Sequence, residues 1–174
     1  MTNTENEGSH PFAAAWGVIG LVLVLAYAVF RLASFAIEAM AGGLDLLQWL
    51  LFVLNVAFMG WSEGYRGFQL RFSPRVAARA YYLYRNSTSV GVQLLAPLFC
   101  FGYFNANRRT LLFAWIGTLA IIILVLLVHQ LSQPWRGIID AGVVVGLTWG
   151  VISLLVMVRK TFVSGRYLCS PEVP

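Results

Sequence analysis

The stretch VGVQLLAPLFCFGYF, residues 90–104, decides how this chain is folded. It is apolar enough to enter a membrane, but it has only fifteen residues and carries a proline at position 97. As a straight helix it reaches about 22 Å at about 1.5 Å per residue, short of a bilayer core of about 30 Å. If it nevertheless crosses, with the N-terminus inside, then Arg66, Arg71, Arg75, Arg79, Arg85 and Arg136 face one side. Arg108, Arg109, Arg159, Lys160 and Arg166 face the other, so six basic residues oppose five and there is no bias. If the stretch enters and leaves on one side, ten basic residues share that side and Arg136 alone lies in an outer loop, with Arg31 inside the first helix. Cytoplasmic loops of membrane proteins are rich in Lys and Arg, so the second arrangement is the expected one. Residues 90–104 are therefore read as re-entrant or buried, covered by neighbouring helices because lipid cannot satisfy an irregular backbone.

Outward from this segment the chain divides into apolar runs. Helices are expected over about 12–40, interrupted by Arg31 and Glu38 and closed by Gly42 and Gly43, and over about 44–61, with Asn55 inside. Two more are expected over about 110–131 and 138–158, the last closed by Arg159 and Lys160. A polar tail, 1–11, precedes this single domain of 12–160, and a second tail, 161–174, follows it. The fold class is thus an all-α integral membrane protein, a four-helix transmembrane bundle. It is expected in the cell (inner or plasma) membrane with both termini cytoplasmic.

Composition excludes the main alternatives. Hydrophobic residues make up 59% and charged residues 11%, whereas a soluble domain carries roughly 25% charged residues. A soluble fold of this length would be left with large exposed apolar patches. The net charge of +5 does not point to nucleic acid, because the arginines flank apolar runs, where they set orientation. Two cysteines, Cys100 and Cys169, make no disulfide framework. The first eleven residues hold two Glu and no basic residue, unlike the positive start of a secretory signal, so the first run is expected to be retained.

Between the second and third runs lies a basic segment. Ser73 followed by Pro74 reads as the N-cap and first position of a helix over about 74–86. At 100° per residue Arg75, Arg79 and Arg85 fall on one side with Tyr82. This predicts a short amphipathic interfacial helix whose arginines meet anionic lipid headgroups.

Three constellations are candidates for function. Gly142, Gly146 and Gly150 share one face of the last run and let another helix approach closely, either within the chain or in an oligomer. Arg31, Glu38, Asp45 and Asn55 form a candidate polar intramembrane cluster, since ionisable groups in membranes mark pathways. Each also has a structural reading: Arg31 snorkels, Glu38 precedes a turn, Asp45 favours a helix N-terminus through the dipole and Asn55 bonds across helices. Asp140, one turn after Arg136, reads likewise as a helix start. Glu63 and Arg66 lie in WSEGYRG, residues 61–67, a charged, Gly-hinged stretch where a helix leaves the membrane, read equally as a binding site or gate and as an exit turn with an exposed ion pair. His129 is a lone histidine, and no spacing assembles a metal, cofactor or catalytic set. The triplet Asn86-Ser87-Thr88 is treated as a chance acceptor match.

These residues suggest a small non-enzymatic accessory, scaffold or assembly subunit, as a homo-oligomer or part of a larger membrane complex, with membrane lipids as partners and no cofactor. A small transporter or channel component with a polar intramembrane path is one alternative. A membrane enzyme acting on lipid is the other, with Glu63, Arg66, Asn105, Asn107, Arg108 and Arg109 near the cytoplasmic headgroups.

Overall fold

The computed structural model describes residues 10–86 and 88–173, and among them it is helical with no strand. Nearly all of the polar tail 1–11, and the middle residue of the Asn86-Ser87-Thr88 triplet, lie outside the described residues. Helix α1 (Pro11–Ala41) starts with a proline in its first turn and ends where Gly43 adopts φ +80°. Helix α2 (Leu46–Met59) is opened by a reciprocal cap: Asp45 accepts from the Gln48 amide at 2.7 Å, and the Gln48 side chain accepts from the Asp45 amide at 3.0 Å. That cap satisfies two of the amide donors that a helix start leaves free.

Beyond α2 the structure departs from the sequence expectation. The chain does not leave the helix at Trp61. It continues through a wide π-helical stretch, Gly60–Phe72, into α3 (Ser73–Arg85), so that Leu46–Arg85 is one rod of 40 residues. Ser73 is not an N-cap: it has helical dihedrals, and its hydroxyl pairs with that of Ser153 at 2.7 Å. Of the two glycines that suggest a hinge, Gly64 is a place of close packing instead. A methyl group at Gly64 would stand 2.9 Å from the Trp149 side chain.

Nor is α3 an interfacial helix with a free basic face. Helices α1, α5 (Ala96–Phe101) and α7 (Trp135–Ser164) close around it, and Val76, Ala77, Ala78, Ala80 and Leu83 are all fully buried. The small alanines permit this approach on several sides at once, which leaves no lipid-facing side at the level of Arg79. Arg79 is fully buried among backbone oxygens. Arg75 is half-buried, 3.9 Å from Glu172, and Arg85 alone of the three is exposed.

Residues 90–104 form two short helices, α4 (Val90–Leu94) and α5 (Ala96–Phe101), broken at Leu95 and ended by Gly102 in the left-handed region. They pack on the start of α1, where Gly17 faces Cys100 and Gly20 faces Pro97. Helices α6 (Arg108–His129) and α7 (Trp135–Ser164) complete the bundle. Four helices, namely α1, the 46–85 rod, α6 and α7, are long and apolar enough to cross a membrane.

Cross-contacts set the order of helix ends. The His10 amide bonds the Tyr84 carbonyl and the Asn107 amide bonds the Glu172 carbonyl, so the start of α1, the end of α3, the start of α6 and the C-terminal tail share one end. Gln133 reaches the Phe35 carbonyl, so the other end holds the 42–45 and 130–134 connections. The segment 86–107 thus leaves and returns at the same end of the bundle as both described termini.

The core of the bundle is α7. The rod runs parallel to it and uses the three glycines: Gly142 faces Asn55 and Met59, Gly146 faces Glu63, and Gly150 faces the Phe68 ring. All three are buried by the chain's own helix. Helix α6, by contrast, is buried only at Thr110, Ala114 and Val128. It is fastened near its start by Tyr103, which bonds Thr118 and packs edge-on against Trp115.

Candidate functional site: an ionisable cavity between the rod and helices 6 and 7

On α7, Arg136, Asp140, Val143 and Leu147 recur at intervals of three and four, and so lie along one stripe. That stripe, with parts of α1, α6 and the π-helical stretch, lines a partly open cavity of about 220 Å³. Its walls are apolar, including Leu32, Phe68, Ile121 and Val125. Four ionisable side chains also line it: Glu63, His129, Arg136 and Asp140.

These four are stepped in depth. His129 and Arg136 stand at the end of the bundle opposite the termini, and Asp140 lies one turn further in. Glu63 faces Gly146, ten residues after Arg136, or about 15 Å along the axis at about 1.5 Å per residue. Glu63 therefore sits near the middle of α7's first twenty residues, between the two ends of the bundle. Its placement depends on the π-helical stretch that carries it and on the missing side chain at Gly146, where a methyl group would stand 3.1 Å from Glu63 Oε2.

The polar groups are only partly satisfied. The Arg136 Nε to Asp140 Oδ2 distance is 3.7 Å, close enough for attraction but too long for a hydrogen bond. Both atoms are buried and have no hydrogen-bond partner. The Arg136 guanidinium lies 3.6 Å above the Phe35 ring, which contributes a cation–π contact. Among the described residues neither a hydrogen bond nor an ion pair holds the Glu63 carboxylate. Buried polar groups are nearly always paired, and Arg136 Nε and Asp140 Oδ2 are exceptions here. No three His, Cys, Asp or Glu side chains gather as metal ligands among the described residues.

The cluster expected from the sequence is not brought together. Arg31 is exposed on α1 and Glu38 is exposed, with the Gln133 amide 3.3 Å away. The residues of that part of α1 which face inward are Ala36 and Ala39. Asp45 serves the α2 cap. Asn55 donates to the Ile138 carbonyl at 2.7 Å and to that of Ile139 at 3.3 Å, joining the rod to α7. The residues weighed for headgroup chemistry are also apart. Glu63 lines the cavity, Arg66 lies over the Trp61 ring at 5.0 Å, and Arg108 and Arg109 open α6 at the far end.

Arg79 is the second polar centre. Its Nε donates to the Phe99 carbonyl at 2.7 Å, one terminal nitrogen to Pro171 at 3.1 Å, and the other to Phe104 at 2.9 Å and Asn105 at 3.0 Å. The guanidinium also stands 4.1 Å over the Phe99 ring. A planar fork with five donors suits such a set of carbonyls. Arg79 thus ties the end of α5, the 102–107 connection and the C-terminal tail to the rod, a structural task that does not involve lipid phosphates.

No protein-family model, curated protein or solved structure matches this chain.

Proposed function

We propose that this protein is a non-enzymatic multi-pass membrane protein that moves protons within the bilayer, as a small transporter or a component of one. The observation that carries the reading is Glu63, a carboxylate without a partner, between the two ends of the bundle, in a cavity shared with His129 and the Arg136–Asp140 pair. Charged groups in a bilayer are costly, and chains of Asp, Glu and His in spanning helices are the usual parts of proton relays. The stepped order of His129, Asp140 and Glu63 is that of a half-path from the end opposite the termini to the middle.

Orientation follows from charge. Arg71, Arg75, Arg79, Arg85, Arg108, Arg109, Arg159, Lys160 and Arg166 lie toward the end that carries the termini and Arg136 lies at the other, while Arg66, within a turn of Glu63, and Arg31, inside α1, lie between the ends. By the positive-inside rule the first end is cytoplasmic, in a cell (inner or plasma) membrane, and the segment 90–104 is re-entrant from that face. A second reading, an accessory subunit of a larger complex, is favoured by α6, whose surface is left almost wholly uncovered by its own chain.

An apolar carbodiimide tests the site. It adds to protonated carboxyl groups reached from the apolar phase. In reconstituted vesicles, peptide mapping is expected to find the adduct on Glu63 and not on Glu38 or Asp45. Labelling of Glu38 or Asp45 with Glu63 untouched counts against the reading.

A further inference from the structure

On the side of α7 away from the ionisable cavity, α7 and the π-helical stretch leave a second, open groove of about 530 Å³. Its floor is apolar along Val145, Trp149, Ile152 and Val156. The Trp149 ring is fixed there: its Nε1 donates to Gln69 Oε1 at 2.8 Å, and Gly64 leaves room for it. Lys160 lines the groove at the end that carries the termini. It is the one lysine in the chain, it is exposed, and no ion pair involves it among the described residues. From Val145 to Lys160 the groove runs about 22 Å at about 1.5 Å per residue, one leaflet of a core of about 30 Å plus the headgroup level.

An apolar channel of one leaflet's depth, with a single unpaired ammonium at its mouth, has the charge pattern of an anionic phospholipid. We propose that this groove holds one acyl chain of such a lipid, with its phosphate at Lys160. The lipid's negative charge complements Lys160, and its chain covers the Trp149–Val156 floor that the protein leaves bare. The proposal depends on the four helices being membrane spans, and is independent of proton movement through the Glu63 cavity.

Brominated lipids provide the test, since bromine in an acyl chain quenches tryptophan by contact. The full-length protein and Trp149→Phe are reconstituted into vesicles containing brominated phosphatidylglycerol or brominated phosphatidylcholine, and the Trp149 component is taken as their difference. One basic residue near an anionic surface contributes about 1 kcal/mol, or about fivefold in affinity. Half-quenching is therefore expected at a roughly fivefold lower mole fraction of the anionic lipid. Lys160→Gln should equalise the two lipids while retaining quenching. Equal quenching by both lipids in the wild type, or none by either, overturns the proposal; the latter means that another protein segment occupies the groove. Should Trp149→Phe fail to fold, native mass spectrometry of wild type and Lys160→Gln decides, and equal retention of phosphatidylglycerol refutes it. Protein that is stripped from vesicles by alkaline wash would instead refute the membrane reading itself.

Discussion

Replacing Gly142 by alanine should damage this bundle more than its single added methyl suggests. The methyl would lie 2.8 Å from Met59 Cγ and 2.9 Å from Asn55 Cγ, with the Asn55 amide nitrogen nearer still. Favourable carbon contacts are about 3.5–4.0 Å, so either the rod must move away from α7 or Asn55 must rotate. Rotation gives up the 2.7 Å bond to the Ile138 carbonyl. Overpacking costs about 1–3 kcal/mol, and an interhelical hydrogen bond in a membrane bundle adds about 0.6 kcal/mol. The better helix propensity of alanine returns up to about 1 kcal/mol. The net expectation is a loss of roughly 1–2.5 kcal/mol from those terms. Gly117→Ala on α6 is the comparison, because nothing lies within 4 Å of the added methyl. It should be neutral or stabilising. The assay is unfolding of the micelle-held protein by a denaturing detergent, monitored by circular dichroism. Asn55→Ala in the Gly142→Ala background should recover part of the loss, because neighbours that collide are not additive. Gly142→Ala as stable as Gly117→Ala would refute the packing described here.

Two further outcomes are expected at the ends of the bundle. Arg79→Lys keeps the charge but cannot reach carbonyls on three segments at once, and with hydrogen bonds to charged groups at about 1.5–3 kcal/mol it should cost about 3 kcal/mol; the unfolding assay should show this together with faster proteolysis in 86–107, and wild-type behaviour would mean that the carbonyls do not depend on it. Cysteines placed singly at Arg71 and Arg108, in a background lacking Cys100 and Cys169, should share one response to an impermeant thiol reagent in intact cells, while one at Ser132 should show the opposite; different responses at 71 and 108 would mean that 90–104 crosses.

The apolar runs were legible in the sequence because length and hydropathy alone set them. The four long helices fall on the runs read at 12–40, 44–61, 110–131 and 138–158, and extend beyond several of them. The rod was not legible. Gly64, Gly67 and Pro74 are ordinary signals of a loop or helix start, and only the partner surface on α7, where Trp149 fills the space at Gly64, shows why a helix persists there. The sequence places Arg79 on a lipid-facing side because helical angles tell which residues share a face and not what covers that face. Here α5 and the C-terminal tail cover it, and both are far away in sequence. The ionisable cavity was half legible. The Arg136–Asp140 spacing is visible on α7, but it had a sufficient explanation as a helix start. Glu63 could join it only once the rod was known to continue in parallel with α7. His129 looked solitary because its neighbours come from another helix.

Proton flux through the isolated protein tests the central claim most directly. Liposomes loaded with potassium and a pH dye, given an inside-negative potassium diffusion potential by valinomycin, should acidify inside faster with the wild-type protein than without it. Glu63→Gln should return the rate to that of protein-free liposomes, and Arg108→Gln, at the far end of α6, should leave it unchanged. A wild-type rate equal to that of empty liposomes, or a Glu63→Gln rate equal to that of the wild type, would contradict the account.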